Sequence, residues 1–302
     1  MPALSDSESG PVLDPRILSQ RIRPGDPYRN YCWWPYDAPA PGEGKLRASS
    51  LLWLAIQRMP AATWLAESVE TIQAALGDFR SVYGVKQVDG AWSLEVYLYD
   101  YERQDRAVSV ERLAAGCAGQ LQFPTTAGQH LPYFMFSFDL TADVAAANGK
   151  IDVVHVYVGN PGSTVSSGIS YGFTDDPHAT QMENLYFFFA ATDGDAIRDK
   201  VNCAAFLNDP NTLEQALLRP ELMDCHTICL ANKRTSNTVY FSGVNVQQLR
   251  FFLDWQQYPD FFRNFVHAHQ HELDHLLFDV GVDYQVRDNQ VEFVKSGVYG
   301  VF

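Results

Sequence analysis

The sequence predicts an α+β domain built on a large antiparallel sheet of about ten strands, closed into a barrel with helices outside. The main observation is a repeated unit: a strand-like run, a turn signal and a second strand-like run occur five times between residues 81 and 297. Helix-like segments separate most of these hairpins. Because open sheets of this size tend to curl, and closure removes exposed strand edges, the pattern favours a barrel.

The first 48 residues are predicted to form an extended arm, since they are rich in proline, glycine, serine and aspartate. One aromatic patch, "YCWWPYDAPAPG", contains Trp33, Trp34 and Tyr36. We expect these rings to pin the arm to the rest of the chain, and a lid over a site is the alternative. Residues 49–302 are then expected to form one α+β domain.

That domain is expected to begin with helical segments over residues 49–77, where apolar residues recur at helical spacing and Gly77 provides a stop. The hairpins follow, beginning with "SVYGVK" and "AWSLEVYLYDY" around Asp89 and Gly90. The other paired runs are "YFMFSFDL" with "IDVVHVYVG", "SGISYGF" with "ENLYFFFA", "CHTICLA" with "TVYFSG", and "LFDVGVDY" with "QVEFVKSG". Further helices are predicted near residues 107–118, 193–218 and 245–277.

The composition excludes several classes of function. The 302-residue chain has 36 acidic and 22 basic residues and a net charge of −14, which disfavours nucleic acid and anionic membranes as partners. No apolar run approaches the ~18 residues of a membrane span, and the N-terminus lacks the pattern of a secretory signal. The five cysteines form no CxxC pair, and no phosphate or dinucleotide loop is evident. We therefore expect a cytoplasmic protein without a cofactor.

One predicted strand, residues 92–101, separates two kinds of side chain by strict alternation. Its apolar face carries Trp92, Leu94, Val96 and Leu98. Its other face carries Glu95, Tyr97, Tyr99 and Tyr101. An apolar face suits packing against helices, and a face of phenols with one carboxylate suits the lining of a cavity.

Other strands repeat this alternation less clearly. His155 and Tyr157 share one face of their strand, and Lys295 is expected on the same face as Val291 and Phe293. These faces would line the interior of a closed barrel. If the sheet stays open, the same polar faces would simply contact solvent.

Five hairpins interleaved with helices resemble the ABBA-type aromatic prenyltransferases, whose barrel of ten antiparallel strands is ringed by helices. Strings such as "FSFDL…KIDVVHVYVG" and "CHTICLANKRTSNTVYFSG" are similar to that family's strand–turn–strand units. The resemblance covers residues 62–302. It implies a small-molecule enzyme of specialised metabolism that transfers a prenyl group to an aromatic acceptor.

The resemblance also implies roles for individual residues. Lysines and arginines on strands would hold an allylic diphosphate, tyrosines would shield the allylic cation, and a carboxylate would accept a proton from the acceptor. Glu95 is the candidate catalytic residue. The candidate substrate-binding residues are Lys86, Tyr97, Tyr99, Tyr101, His155, Tyr157 and Lys295. Burial among phenol rings is expected to favour the neutral acid of Glu95.

The chain departs from the family in its cations. Where the second strands of the family's hairpins tend to carry a lysine, this sequence has Glu95, His155 and Thr238. Lys86 and Lys295 are the lysines well inside predicted strands. This departure argues against diphosphate binding, and a chain can share the family's barrel without its reaction.

A different function is suggested by "HQHELDHLL", which places His271, Glu272 and His275 at the HExxH spacing of zinc peptidases. On a helix over residues 261–277, His271 and His275 would lie opposite the apolar stripe, so we expect surface histidines there. His269 lies on that stripe and is expected to be a hydrogen-bonded core histidine. A metal-dependent hydrolase remains the second hypothesis, and a non-catalytic barrel that binds a ligand or partner remains the third.

Overall fold

The computed structural model describes residues 13–29, 35–88, 90–99, 108–124, 130–160, 166–204, 207 and 210–302. Within these residues, ten strands form one closed antiparallel barrel, as predicted. The predictions for Trp33, Trp34 and Tyr101, and for the Asp89 turn position, concern residues outside the described ranges.

The strands follow the predicted hairpins closely. Their bounds are β1 Ser81–Val88, β2 Ala91–Tyr99, β3 Met135–Leu140, β4 Val154–Gly159, β5 Ser167–Phe173, β6 Gln181–Ala190, β7 Thr227–Lys233, β8 Asn237–Val244, β9 Phe278–Arg287 and β10 Gln290–Val301. Each strand pairs with its neighbour in sequence, and β1 also pairs with β10 to close the barrel. All five hairpin connections therefore lie at one end of the barrel, which we call the hairpin end.

The described residues also form ten α-helices and two 3-10 helices. The α-helices are α1 Pro15–Ser19, α2 Ser49–Ile56, α3 Ala62–Leu76, α4 Val110–Gly116, α5 Ala142–Ala146, α6 Gly194–Ala204, α7 Pro210–Leu217, α8 Val246–Trp255, α9 Asp260–Ala268 and α10 Gln270–Leu273. The 3-10 helices are Pro177–Ala179 and Pro220–Leu222. In the described part of the chain, none of these helices has the length and apolar character needed to cross a membrane.

Opposite faces of β2 lie in two different apolar clusters. Leu94, Val96 and Leu98 are fully buried in the main core, where they share a cluster with residues of the helices. Tyr97 and Tyr99 belong to a second cluster inside the barrel. The alternation predicted for this strand is therefore confirmed for its described residues.

Three β-bulges interrupt the alternation in the described pairings, and one of them follows Ser242 in the pairing of β8 with β9. In the pairing of β5 with β6, Ser170 faces Asn184 and Tyr171 faces Met182, so Glu183 is an extra residue. In the pairing of β9 with β10, an extra residue follows Phe293. Because a bulge reverses the side on which later residues point, it breaks a period-two pattern.

The bulge in β10 makes one sequence prediction wrong. Lys295 lines the interior of the barrel, whereas Phe293 is 41% exposed and packs edge-on against Trp255. The two side chains therefore do not share a face. Alternation places residues correctly only where the strand pairing is unbroken.

The described part of the arm contacts the body closely. Ile17 and Leu46 are fully buried in the main core. The hydroxyl of Tyr36 accepts a hydrogen bond of 3.1 Å from the backbone N–H of Leu277. Lys45 forms a 2.6 Å ion pair with Asp274.

Candidate functional site

The interior of the barrel contains a cavity of about 590 Å³ that reaches the hairpin end. Six of the predicted site residues line it: Lys86, Glu95, Tyr97, His155, Tyr157 and Lys295. Tyr99 lines a smaller compartment next to it. The structure thus brings together residues from strands on opposite sides of the barrel.

Three lysines, Lys86, Lys233 and Lys295, project into this cavity. Lys233 lies 2.8 Å from Asp283, and Lys295 lies 3.6 Å from the same carboxylate. Lys86 contacts Glu95 and lies 3.5 Å from Asp139. We refer to the three lysines as the lysine cluster.

The sequence analysis missed Lys233 because it lies within residues 232–237, which were predicted to form a turn. The alternation of β7 could have identified it. Cys229 lines the interior, and every second residue of a strand points to the same side, so Lys233 also points inward. The cavity therefore contains one more lysine than the sequence predicted.

The lysine cluster has unusual electrostatics. Burial lowers the pKa of Lys295, and the nearby positive charge of Lys233 lowers it further. Burial acts to raise the pKa of Asp283, but the charges of Lys233 and Lys295 dominate and hold that pKa below its usual value. Two ammonium groups thus share one carboxylate, that of Asp283.

Glu95 is buried, and its carboxylate is fully engaged. The hydroxyl of Tyr97 donates a 2.7 Å hydrogen bond to Oε2, the Ser137 hydroxyl donates to Oε1, and the Lys86 ammonium contacts Oε2. Donors and a cation stabilise the charged carboxylate. The surroundings of Glu95 therefore include a lysine and a serine as well as a predicted phenol ring.

Tyrosine rings form a collar between the lysine cluster and the deeper interior. Tyr299 packs against Tyr97 at 5.8 Å and against Tyr240 at 6.0 Å, and Tyr157 packs against Tyr186 at 5.8 Å between ring centroids. Burial raises the pKa of Tyr157, Tyr240 and Tyr299 well above its usual value, so these phenols stay neutral. Sequence reasoning missed Tyr186, Tyr240 and Tyr299.

Glycines in the barrel wall make room for two of these rings. A Cβ atom at Gly84 or Gly297 would lie 2.7 Å from an atom of the Tyr299 side chain, and one at Gly281 would lie 2.5 Å from the Tyr240 ring. Each ring can therefore lie flat against the wall, which keeps the centre of the cavity open.

A smaller, mainly apolar compartment adjoins the collar. It shares Tyr157, Tyr186 and Tyr240 with the large cavity. Its other lining residues are Tyr99, Phe134, Met135, Gly168, Ile169, Phe188 and Cys229. The interior is therefore charged toward the hairpin end and aromatic at depth.

His155 is the remaining predicted residue of the cavity wall. Its Nδ1 atom lies 2.7 Å from Oε2 of Glu183, the extra residue of the β6 bulge. Glu183 and the following Asn184 both line the cavity because of the bulge. A strictly alternating pattern would place consecutive residues on opposite sides, so sequence reasoning missed Glu183.

The HExxH residues do not form one site. His271 is exposed, whereas His275 is fully buried, so the prediction that both are surface histidines is wrong for His275. The cause is that α10 ends at Leu273, so the helical wheel does not extend to His275. Glu272 is bound by Arg21 and by His269. Among the described residues, no group of three or more histidine, cysteine, aspartate or glutamate side chains is placed to hold a metal ion.

Comparisons with known proteins do not assign this barrel to a family. No protein-family profile matches the sequence. No significant match to the chain is found among curated proteins.

Proposed function

We propose that the chain is a prenyltransferase-like enzyme of specialised metabolism that joins an allylic group to a small aromatic acceptor inside the barrel. The observation that carries this proposal is the placement of the lysine cluster directly beside the tyrosine collar. An allylic diphosphate needs both features, because its diphosphate is strongly anionic and its allylic carbon becomes cationic as the bond to oxygen breaks.

The sharing of one carboxylate by two lysines supports an anion site. Lys233 and Lys295 share Asp283, so two cations face one anion. A bound diphosphate would relieve the repulsion between these ammonium groups, and a partly enclosed cavity strengthens the attraction. Lys295 is 28% exposed, so an incoming ligand can reach it.

The tyrosine collar already stabilises cations. The Lys86 ammonium lies 6.0 Å from the centroid of the Tyr97 ring, and the Lys233 ammonium lies 5.8 Å from that of Tyr240. These distances fall in the range of cation–π interactions. An allylic cation between the same rings would gain a similar stabilisation and would be shielded from water.

The proposed reaction is a substitution. The carbon–oxygen bond of the allylic diphosphate breaks, and diphosphate leaves with the electron pair. A new bond then forms between the allylic carbon and the aromatic acceptor, which loses a proton to a base. Glu95 is the base proposed from the sequence, and Tyr97, Tyr99, His155 and Tyr157 are the proposed contacts to the substrates.

We also propose that the enzyme acts in a reducing cytoplasm. Cys117, Cys203, Cys225 and Cys229 are free thiols. Burial raises the pKa of Cys117 to about 11 and that of Cys225 to about 12, so these thiols are unreactive.

The proposal is tested by binding and by turnover. Calorimetric titration with inorganic diphosphate should show binding to the wild type and an affinity at least about tenfold lower in the Lys233→Gln/Lys295→Gln variant. Lys150→Gln is the control, because Lys150 pairs with Asp175 at 3.6 Å and is 53% exposed. Release of diphosphate from dimethylallyl diphosphate should then depend on an added aromatic acceptor.

One observation favours a non-catalytic barrel as the second candidate. Each lysine of the cluster already has a carboxylate nearby, so the cavity can remain neutral without an anion. If wild type and Lys233→Gln/Lys295→Gln bind diphosphate equally weakly, the transferase proposal is wrong. Tight binding of an aromatic molecule without any diphosphate release would support the ligand-binding barrel.

A further inference from the structure

The cavity wall contains a histidine–carboxylate pair that is separate from the lysine cluster. Nδ1 of His155 on β4 and Oε2 of Glu183 on β6 are 2.7 Å apart, and the two side chains are 23% and 21% exposed. The bond crosses β5, which lies between the two strands. A contact across an intervening strand requires the wall to be shaped for it.

Two local features of the backbone provide that shape. The bulge makes Glu183 an extra residue of β6 and directs it to the cavity wall. Gly172 of β5 pairs with His155, and a Cβ atom there would overlap the Glu183 carboxylate. The bulge orients the Glu183 side chain toward His155. Because Gly172 has no side chain, the Glu183 carboxylate can occupy the space beside it.

The hydrogen bond sets the state of the imidazole. A carboxylate accepts the proton of Nδ1, so the neutral ring carries its lone pair on Nε2. Among the described residues, Nε2 has no hydrogen-bond partner, and His155 lines the cavity. Glu95, in contrast, is occupied by Tyr97, Ser137 and Lys86. Of these two side chains, the imidazole therefore has the atom that is available to accept a proton.

We propose that His155 is the proton acceptor of the cavity and that Glu183 is its positioning residue. An aromatic ligand transfers a proton to Nε2, and the imidazolium formed is stabilised by the Glu183 carboxylate. In the transfer reaction, which rests on the proposed function, that proton is the one the acceptor loses as its new bond to the allylic carbon forms. Proton acceptance itself needs only an acidic aromatic ligand in the cavity.

The neighbouring charges favour this role. Asp139 on β3 interacts electrostatically with His155, and Glu183 contacts the ring directly, so both carboxylates stabilise an imidazolium. Lys86 on β1, which is 3.5 Å from Asp139, opposes them, and Glu95 on β2 offsets Lys86. Charged groups on four strands therefore line the same cavity as His155.

The test uses 4-nitrophenol, whose ionised form alone absorbs strongly in visible light, and no diphosphate. At a pH where the free reporter is largely neutral, reporter bound to the wild type should be ionised. The ratio of ionised to neutral bound reporter should fall at least about tenfold in His155→Gln. In ¹⁵N-histidine spectra of the wild type, the same titration should show Nε2 of His155 becoming protonated.

A second variant, Gly172→Ala, keeps the inference testable if His155→Gln does not fold. Gly172→Ala leaves both members of the pair in place, and only the flexible end of Glu183 must move to accept the new methyl group. It should reduce reporter ionisation and weaken the Nδ1–H signal. His269→Gln is the matched control, because His269 forms a 2.6 Å bond to Glu272 outside the cavity.

Three results would overturn the inference: no reporter binding at millimolar concentration, equal ionisation in wild type and His155→Gln, or an equal loss in His269→Gln. The diphosphate titration tests the proposed function through the lysine cluster alone. Either experiment can therefore fail while the other succeeds.

Discussion

His155 with Glu183, and His269 with Glu272, form hydrogen bonds of almost equal length, 2.7 Å and 2.6 Å. Both bonds use Nδ1, and the two rings are 23% and 25% exposed. The first pair lies across three strands of the barrel wall. The second lies three residues apart in the chain, where α9 gives way to α10.

The surroundings of the two pairs differ. Glu272 is also held by Arg21, whose hydrogen bond, followed by that of His269, keeps the pKa of Glu272 below its usual value. The ring of His269 packs in a tilted orientation against Phe265, with 4.4 Å between ring centroids. His269 and Glu272 thus both make contacts that stabilise the fold. The ring of His155 faces a cavity, so the same bond leaves one nitrogen available for chemistry.

The largest expected difference between the pairs is in turnover. If diphosphate release with an aromatic acceptor is established, His155→Gln should reduce kcat by about 10²–10⁴-fold, which is the usual contribution of a general base. His269→Gln should leave kcat within about twofold. Equal effects of the two substitutions would remove the distinction between the pairs.

The next effect concerns acid stability in the region of the second pair. Burial, with a smaller contribution from Lys45, lowers the pKa of His275 from 6.5 to about 4. In the unfolded chain His275 therefore binds a proton below pH 6.5, whereas in the folded protein it does so only near pH 4. Stability should thus fall as the pH drops through this window, by about 2 kcal/mol between pH 7 and 4.5.

Urea unfolding of wild type and His275→Phe at both pH values measures this contribution. His275 is fully buried beside Tyr28, with ring centroids 6.0 Å apart, and both of its nitrogens lack partners among the described residues. Phenylalanine keeps the aromatic contact and cannot take up a proton, so the variant should lose less stability in acid. Identical acid losses would show that other groups control the pH dependence.

The smallest expected effect on stability comes from the ion pair between Arg21 and Glu272, which has no counterpart at Glu183 among the described residues. Arg21→Gln should reduce the free energy of unfolding by about 0.5 kcal/mol at neutral pH, because both partners are about one-third exposed. The difference should shrink as Glu272 is protonated in acid and as salt is added. A loss several times larger would mean that Arg21 anchors the whole arm.

The sequence predicted the barrel well because most of its strands are regular. Period-two alternation held on β2, so Glu95 and Tyr97 were placed correctly inside the barrel. The turn signals also separated the hairpins at the right places. Closure followed from the number of strands, since a sheet of this size rarely remains open.

The errors occurred where local pattern and tertiary structure diverge. Phe293 and Glu183 were misjudged or missed because a bulge leaves no mark in an alternating sequence. Lys233 lies at the last position of its strand, where a turn signal masks the alternation. His275 is buried by the arm, and a helical wheel carries no information about a segment more than 200 residues away in the chain.

The bulge at Glu183 has a consequence for how such a cavity can evolve. Removing that single residue would leave Asn184 and Met182 opposite consecutive residues of β5, and the ladder between the strands would become continuous. An in-frame change of one codon can therefore add or delete an acid in the interior, provided that the neighbouring strand keeps a glycine at position 172. A barrel of this kind can acquire a proton-transfer group by insertion of one residue, while its other cavity residues change by substitution.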